Sequence, residues 1–311
     1  MKFYSRRTSA QIQHITYGPA KGIHVYTLQE DVSLAVGNVG SKFSDALRLE
    51  ASSREAEEKI AKGFGANHSH GTGSIRDFIR GTAREIACFG ETWNEVAFDL
   101  ESRSFRVVQL LPETLIPLPI YALQVLRSDD SACGRQLAWI PRRALLHITA
   151  PGIAPRTIRR MIGALTALEK AQKSGWNLMN LSMEGTSGYD FVLHSQRANE
   201  ALLRACGPVS YTPRTLSNDP LISQVNAAYR YAHFQAFCRR LRLGMIDIVN
   251  EILMNAGDQL GFTATVRSTA GLSPEDWERA ASEVLRSSDP MSIVNSYTSA
   301  DRHSQGNGRQ H

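Results

Sequence analysis

The chain has 311 residues, 42% hydrophobic and 21% charged, with a formal net charge of +5 and an isoelectric point near 9.1. That length can bury one large core or two ordinary ones, and the composition excludes a disordered or fibrous protein. The charge is mild: it permits a polyanionic partner and does not require one.

Cys88, Cys133, Cys206 and Cys238 are scattered, with no Cys-x-x-Cys pair, which points to a reducing compartment and no disulfide framework. The first residues, Met1 to Arg7, lack the apolar core of a signal peptide. The most apolar long stretch, Val107–Leu126, is broken by Pro112, Glu113, Pro117 and Pro119, so no membrane span is expected.

In chain order, residues 1–40 read as an irregular start and then short strands around Val25 and Val32–Val36, broken by Gly18-Pro19 and Gly37–Gly40. Residues 42–63 read as two helices with a cap at Ser52-Ser53. Residues 63–73 read as a loop holding His68 and His70. Two imidazoles at that spacing are too few for a metal centre without a cysteine or carboxylate cluster beside them.

Ile75, Phe78, Ile79, Thr82, Ile86 and Phe89 then form a helical stripe, with Ser74 as N-cap and Gly90 as stop. From Trp93 the period changes to two. Trp93–Phe98 and Phe105–Leu110 read as a hairpin about Asp99–Ser104, followed by short strands at Tyr121–Leu126, Leu137–Ile140 and Ala144–Thr149. Prolines 112, 117, 119 and 141 keep those strands short and edge-like.

A second helix opens at Pro155. Ile158, Met161, Ile162, Leu165 and Leu168 form its apolar stripe, and Arg156, Arg159, Arg160, Lys170 and Lys173 its polar side. Residues 155–173 set these five basic groups against Glu169 alone. Residues 1–29 contain basic residues and no acid, and Arg239, Arg240 and Arg242 form a third cluster. Gly185-Thr186-Ser187-Gly188 breaks the chain after the second helix. Residues 190–206 read as helical and Val209–Leu216 as extended. The longest helix is expected over Leu221–Asn255, opened by Pro220 and stopped by Gly257. Phe262–Val266 alternates as a strand, Ser273-Pro274-Glu275-Asp276 opens another helix, and from Asp301 the chain reads as a polar tail.

Few residues suggest chemistry. His147 sits in an apolar strand, where a satisfied core or interface histidine is the expectation. Glu91, Glu95 and Asp99 would share one face of their strand, the starting point for a metal-dependent nuclease site, but no further Asp/Glu–Lys constellation accompanies them. There is no P-loop and no Gly-x-Ser-x-Gly elbow. An enzyme is disfavoured, with no catalytic residue, cofactor or metal assigned.

The order of these segments resembles the portal proteins of tailed bacteriophages. The resemblance rests on Ala87-Cys88-Phe89-Gly90-Glu91-Thr92-Trp93-Asn94-Glu95-Val96, where a helix closes and a strand opens, and on Val107-Val108-Gln109-Leu110-Leu111-Pro112. Leu145-Leu146-His147-Ile148 and the helix opening at Ala154-Pro155 complete it. It covers roughly Ile75–Met183. The family often has Asn, Ala and an aromatic where this chain has Glu91-Thr92-Trp93.

The resemblance implies an α+β fold, mostly helical, with a β-rich clip between two stem helices. Its parts would be an N-terminal wing (1–73), first stem helix (74–90), clip (91–150), second stem helix (151–183), wing with channel loop and long helix (184–272), and C-terminal crown and tail (273–311). It also implies a non-enzymatic homo-oligomeric ring, expected to be a dodecamer, at the capsid vertex of the virion, assembled in the host cytoplasm. Double-stranded DNA would pass through it during packaging and ejection. Its partners would be the major capsid protein, terminase and then a head–tail adaptor, with no membrane. Arg156, Arg159, Arg160, Lys170 and Lys173 would face the DNA channel, and Gly185, Thr186, Ser187 and Gly188 would form the channel loop. Backbone neutralisation without base readout suits a channel, since sequence-specific grip would stall translocation. The competing classes are a metal-dependent nucleic-acid-processing enzyme using Glu91, Glu95 or Asp99, and another virion protein such as a head–tail adaptor.

Overall fold

The computed structural model describes residues 22–37, 47–65, 71–99, 102–110, 112–127, 135–181, 191–214, 223–268 and 271–304. The fold is α+β, with long helices gathered around one main core and three small antiparallel sheets.

The chain begins with α1 (Ile23–Gly37), where strands were expected. Val25, Leu28, Val32 and Val36 recur at helical spacing and are all buried, so packing overrides the β preference of the three valines. Strand β1 (Leu47–Ala51) stands where the first of two helices was expected. It pairs with β8 (Ala264–Ser268), more than two hundred residues later in the chain, with Leu49 opposite Val266. The cap at Ser53 is present. Its hydroxyl accepts from Ala56 N at 3.1 Å and opens α2 (Arg54–Gly63).

Helix α3 runs over Gly71–Phe89, starting before Ser74. Ser74 is therefore no cap: it is buried in the first turn and donates to the Gly65 carbonyl at 3.0 Å. Gly90 is the expected stop, at φ +78° with its N–H on the Ile86 carbonyl. The β-rich stretch follows as β2 (Glu91–Asp99), β3 (Ser104–Leu110), β4 (Leu115–Pro117), β5 (Tyr121–Arg127), β6 (Arg135–Pro141) and β7 (Leu145–Thr149). They form two sheets, ordered β3-β2-β7 and β4-β5-β6. Val96, Phe98 and Phe105 of the first sheet join the main core. Trp93 and Leu110 pack instead with Leu115, Ala122, Ile140 and Ala144 in a small second cluster between the sheets.

Helix α4 (Pro155–Leu181) returns to the main core through Ile158, Met161, Ile162 and Leu165. Its Glu169 is also buried, against Gly22 at the start of α1, where any Cβ would collide with the carboxylate. Helix α5 (Phe191–Ala205) packs on α4. After it comes a 3-10 turn at Gly207–Val209, and residues 210–214 of the segment expected to be extended follow it without forming a strand.

The longest helix, α6 (Gln224–Leu260), begins at an Ser223 cap and continues through Gly257. Gly257 is inside because the chain folds back onto it: the N–H groups of Gly261 and Phe262 both bond to its carbonyl, and a Cβ there would strike Phe262 O. The stop is Gly261, at φ +77°. Helix α7 (Pro274–Val284) carries the expected start as a full capping box between Ser273 and Asp276. Helix α8 (Pro290–Ser304) then packs on α6 and α7, and Asp301, expected in a tail, ties it down through Arg239 at 2.5 Å and Leu272 N at 2.7 Å. Among the described residues, no helix is long and apolar enough to cross a membrane.

Candidate nucleic-acid and assembly interfaces

The exposed side of α4 consists of Arg156, Arg159, Arg160, Gly163, Ala164, Ala167, Lys170 and Ala171. The apolar stripe lies opposite, as periodicity requires. The structure divides the basic residues in two. Arg159 and Lys170 line a groove of about 430 Å³ against the end of α3, floored by Cys88, Phe89, Ile162, Gly163 and Ala167. Arg156 and Arg160 fall outside that groove. Both are exposed, and neither has a carboxylate within ion-pair reach among the described residues. Helical geometry separates them, since at about 100° per residue Arg156 and Arg160 point about 60° and about 100° away from Arg159. Lys173 lies on α4, but its side chain is outside the described residues, as are Gly185–Gly188 and the pair His68/His70.

Arg159 also joins the β-rich stretch. Its guanidinium lies 3.7 Å from Glu91 Oε1, and Glu91 Oε2 meets His147 Nε2 at 2.8 Å. His147 sits opposite Trp93 in the β2–β7 register and stacks on it, with ring centroids 4.0 Å apart and planes 10° from parallel. The Arg142 guanidinium lies over the same indole at 4.6 Å. His147 is therefore not a core residue: it is exposed, with its ring held by a carboxylate and an aromatic face.

The three carboxylates do not converge. Glu91 is engaged with His147 and Arg159, Glu95 is buried in mid-strand, and Asp99 is exposed at the hairpin, where it accepts from Ser102 N at 3.2 Å. Among the described residues, no group of three His, Cys, Asp or Glu side chains is placed to hold a metal ion.

The sequence reading missed the outer face of the β4-β5-β6 sheet. Ile116, Leu123 and Trp139 stand in one row across it and Val125 faces Leu137 in the next. Trp139 is 63% exposed, Leu137 59%, Ile116 50%, and the neighbouring Ile120 80%. The other side of the sheet, with Leu115, Ala122 and Ile140, covers the second cluster. A strand apolar on both faces was the available signal, because one-sided sheets alternate. So concentrated an apolar face marks an interaction surface.

No family model and no curated protein matches the chain. Among solved structures, a chain from a structure described as "Virion of native gene transfer agent (GTA) particle" aligns with a TM-score of 0.49 at 10% identity, over 86% of this chain and 84% of that one.

Proposed function

We propose that the chain is a structural subunit of a phage-like virion, built to assemble with copies of itself. More narrowly, it is a portal protein: a ring at the capsid vertex through which double-stranded DNA is packaged and ejected, docking terminase and then a tail adaptor. The observation that carries this reading is the placement of the β-rich stretch. Residues 91–150 leave the end of α3 and return at the start of α4, where Gly90 and Pro155 touch, and they carry an uncovered apolar sheet away from the main core. That is the helix, clip, helix order on which the resemblance rests.

In this reading α3 and α4 are the stem, and the apolar outer sheet is covered by a neighbouring copy. Arg156 and Arg160, exposed on a rigid helix, neutralise DNA phosphates without reading bases. The protein does no chemistry of its own, and a separate ATPase drives translocation. Negative-stain images of the purified protein test this directly, the expected result being rings with a central hole. A monomer or dimer that cleaves DNA with divalent metal, and loses that activity when Glu91, Glu95 and Asp99 become Gln or Asn, would replace it with the enzyme reading.

A further inference from the structure

We infer that the groove between α3 and α4 receives helix α6 of a second copy of this chain. This rests on the assembly reading above and names the contact through which copies associate. The receiving face has cations at its two ends, Arg159 and Lys170, and between them Gly163 and Ala167, which leave room for a partner's side chain. The inserting face is a stripe on α6. Leu243, Asp247, Glu251, Met254 and Asp258 recur every three or four residues and so share one side of the helix. All five are exposed, Met254 at 61% and Leu243 at 43%. None of the three carboxylates has a cation within ion-pair reach among the described residues.

The two faces match in spacing as well as sign. Arg159 and Lys170 stand three turns apart, as do Asp247 and Asp258, about 16 Å in each case. Laid antiparallel, Asp258 meets Arg159, Asp247 meets Lys170, Met254 falls on Gly163 and Glu251 beside Thr166. Large side chains thus face small ones, as close helix packing requires. Arg159 keeps its Glu91 contact, since a guanidinium has five donors to share. DNA phosphate is the poorer occupant, because the floor of the groove is Phe89, Ile162 and Ala167. The two faces belong to different helices, so the contact is heterologous and closes into a ring when the rotation between copies permits.

The test uses the full chain in sedimentation velocity, with Lys170→Glu, Asp247→Lys and the double variant. All these positions are exposed, and matching denaturant midpoints will show that each variant folds. Each single reversal should raise the concentration at half-assembly about tenfold or more, and the double variant should recover most of that loss. A second measurement places the contact. In Met254→Cys protein, a short bis-maleimide should link the introduced thiol to Cys88 in the groove of another copy, giving a ladder of linked chains that Cys88→Ser abolishes. Rings that persist unchanged in both single variants, with no ladder, would overturn this contact and leave the ring reading intact. Wild-type protein that is monomeric at every concentration would overturn the ring reading and this contact with it.

Discussion

Gly90 and Pro155 meet backbone to backbone: a Cβ on Gly90 would lie 2.5 Å from the Pro155 carbonyl oxygen and 2.7 Å from its Cα. Gly90 ends α3 in the left-handed region, and Pro155 opens α4 with the φ that a first helical residue needs. The entry and exit of the β-rich stretch are thus pinned at one point, so that its sheets are carried on a fixed base.

Gly90→Ala should therefore be more damaging than its φ alone requires. Gly261 has nearly the same φ but nothing within 4 Å of a Cβ, and serves as the control. Gly261→Ala is expected to cost about 1–2 kcal/mol, the strain of a left-handed alanine, and Gly90→Ala at least about 2 kcal/mol more, from the backbone collision. Urea unfolding of both variants measures the difference. Equal losses would mean that the Gly90–Pro155 contact relaxes freely.

Replacing Leu137 and Trp139 with serine should separate folding from assembly. Both side chains are more than half exposed, and Trp139 also packs on the Tyr121 ring, so the variant should lose some stability, on the order of 1–3 kcal/mol, and still unfold cooperatively. Loss of rings, read in negative stain, is the expected result. Intact rings would mean that this face meets something other than a neighbouring copy.

Arg156→Gln with Arg160→Gln should leave assembly unchanged, because both lie outside the groove that Arg159 and Lys170 line. DNA affinity measured against salt should lose about 0.9 from its slope for every phosphate contact removed. An unchanged slope would remove these two residues from the DNA path.

The capping box of α7 carries a pH dependence. Hydrogen bonds from the backbone and then the side chain of Ser273 hold the Asp276 carboxyl below its ordinary value of 3.8. A lowered folded-state pKa stabilises the fold above the unfolded value, and that contribution is lost as pH falls through the folded one. Ser273→Ala should cost about 1 kcal/mol near neutral pH. The gap to wild type should then narrow only below about pH 4, as Asp276 protonates. Unfolding curves across that range read it out; a gap that narrows already near neutral pH would point to another group.

What the sequence determined by itself was local. The stripe of α3, its stop at Gly90, the change to period two at Trp93, the opening of α4 at Pro155 and the Ser273–Asp276 box are each written within a few neighbouring residues. Short-range sterics and capping hydrogen bonds act over that distance. Tertiary structure decided the rest. Val25, Val32 and Val36 became helical because a core was waiting for that face, and β1 became a strand because β8 arrived from the far end of the chain. The same holds for the basic side of α4. Sequence put five cations on one polar face, but only the neighbouring end of α3 placed Arg159 and Lys170 on a groove and left Arg156 and Arg160 outside it. Nor does a strand apolar on both faces, as Leu137–Ile140 is, say which face is covered; that depends on a second sheet packing against Ile140 and leaving Trp139 in the open. Helical phase and strand alternation are properties of one segment, whereas burial is a property of whatever else comes to lie against it.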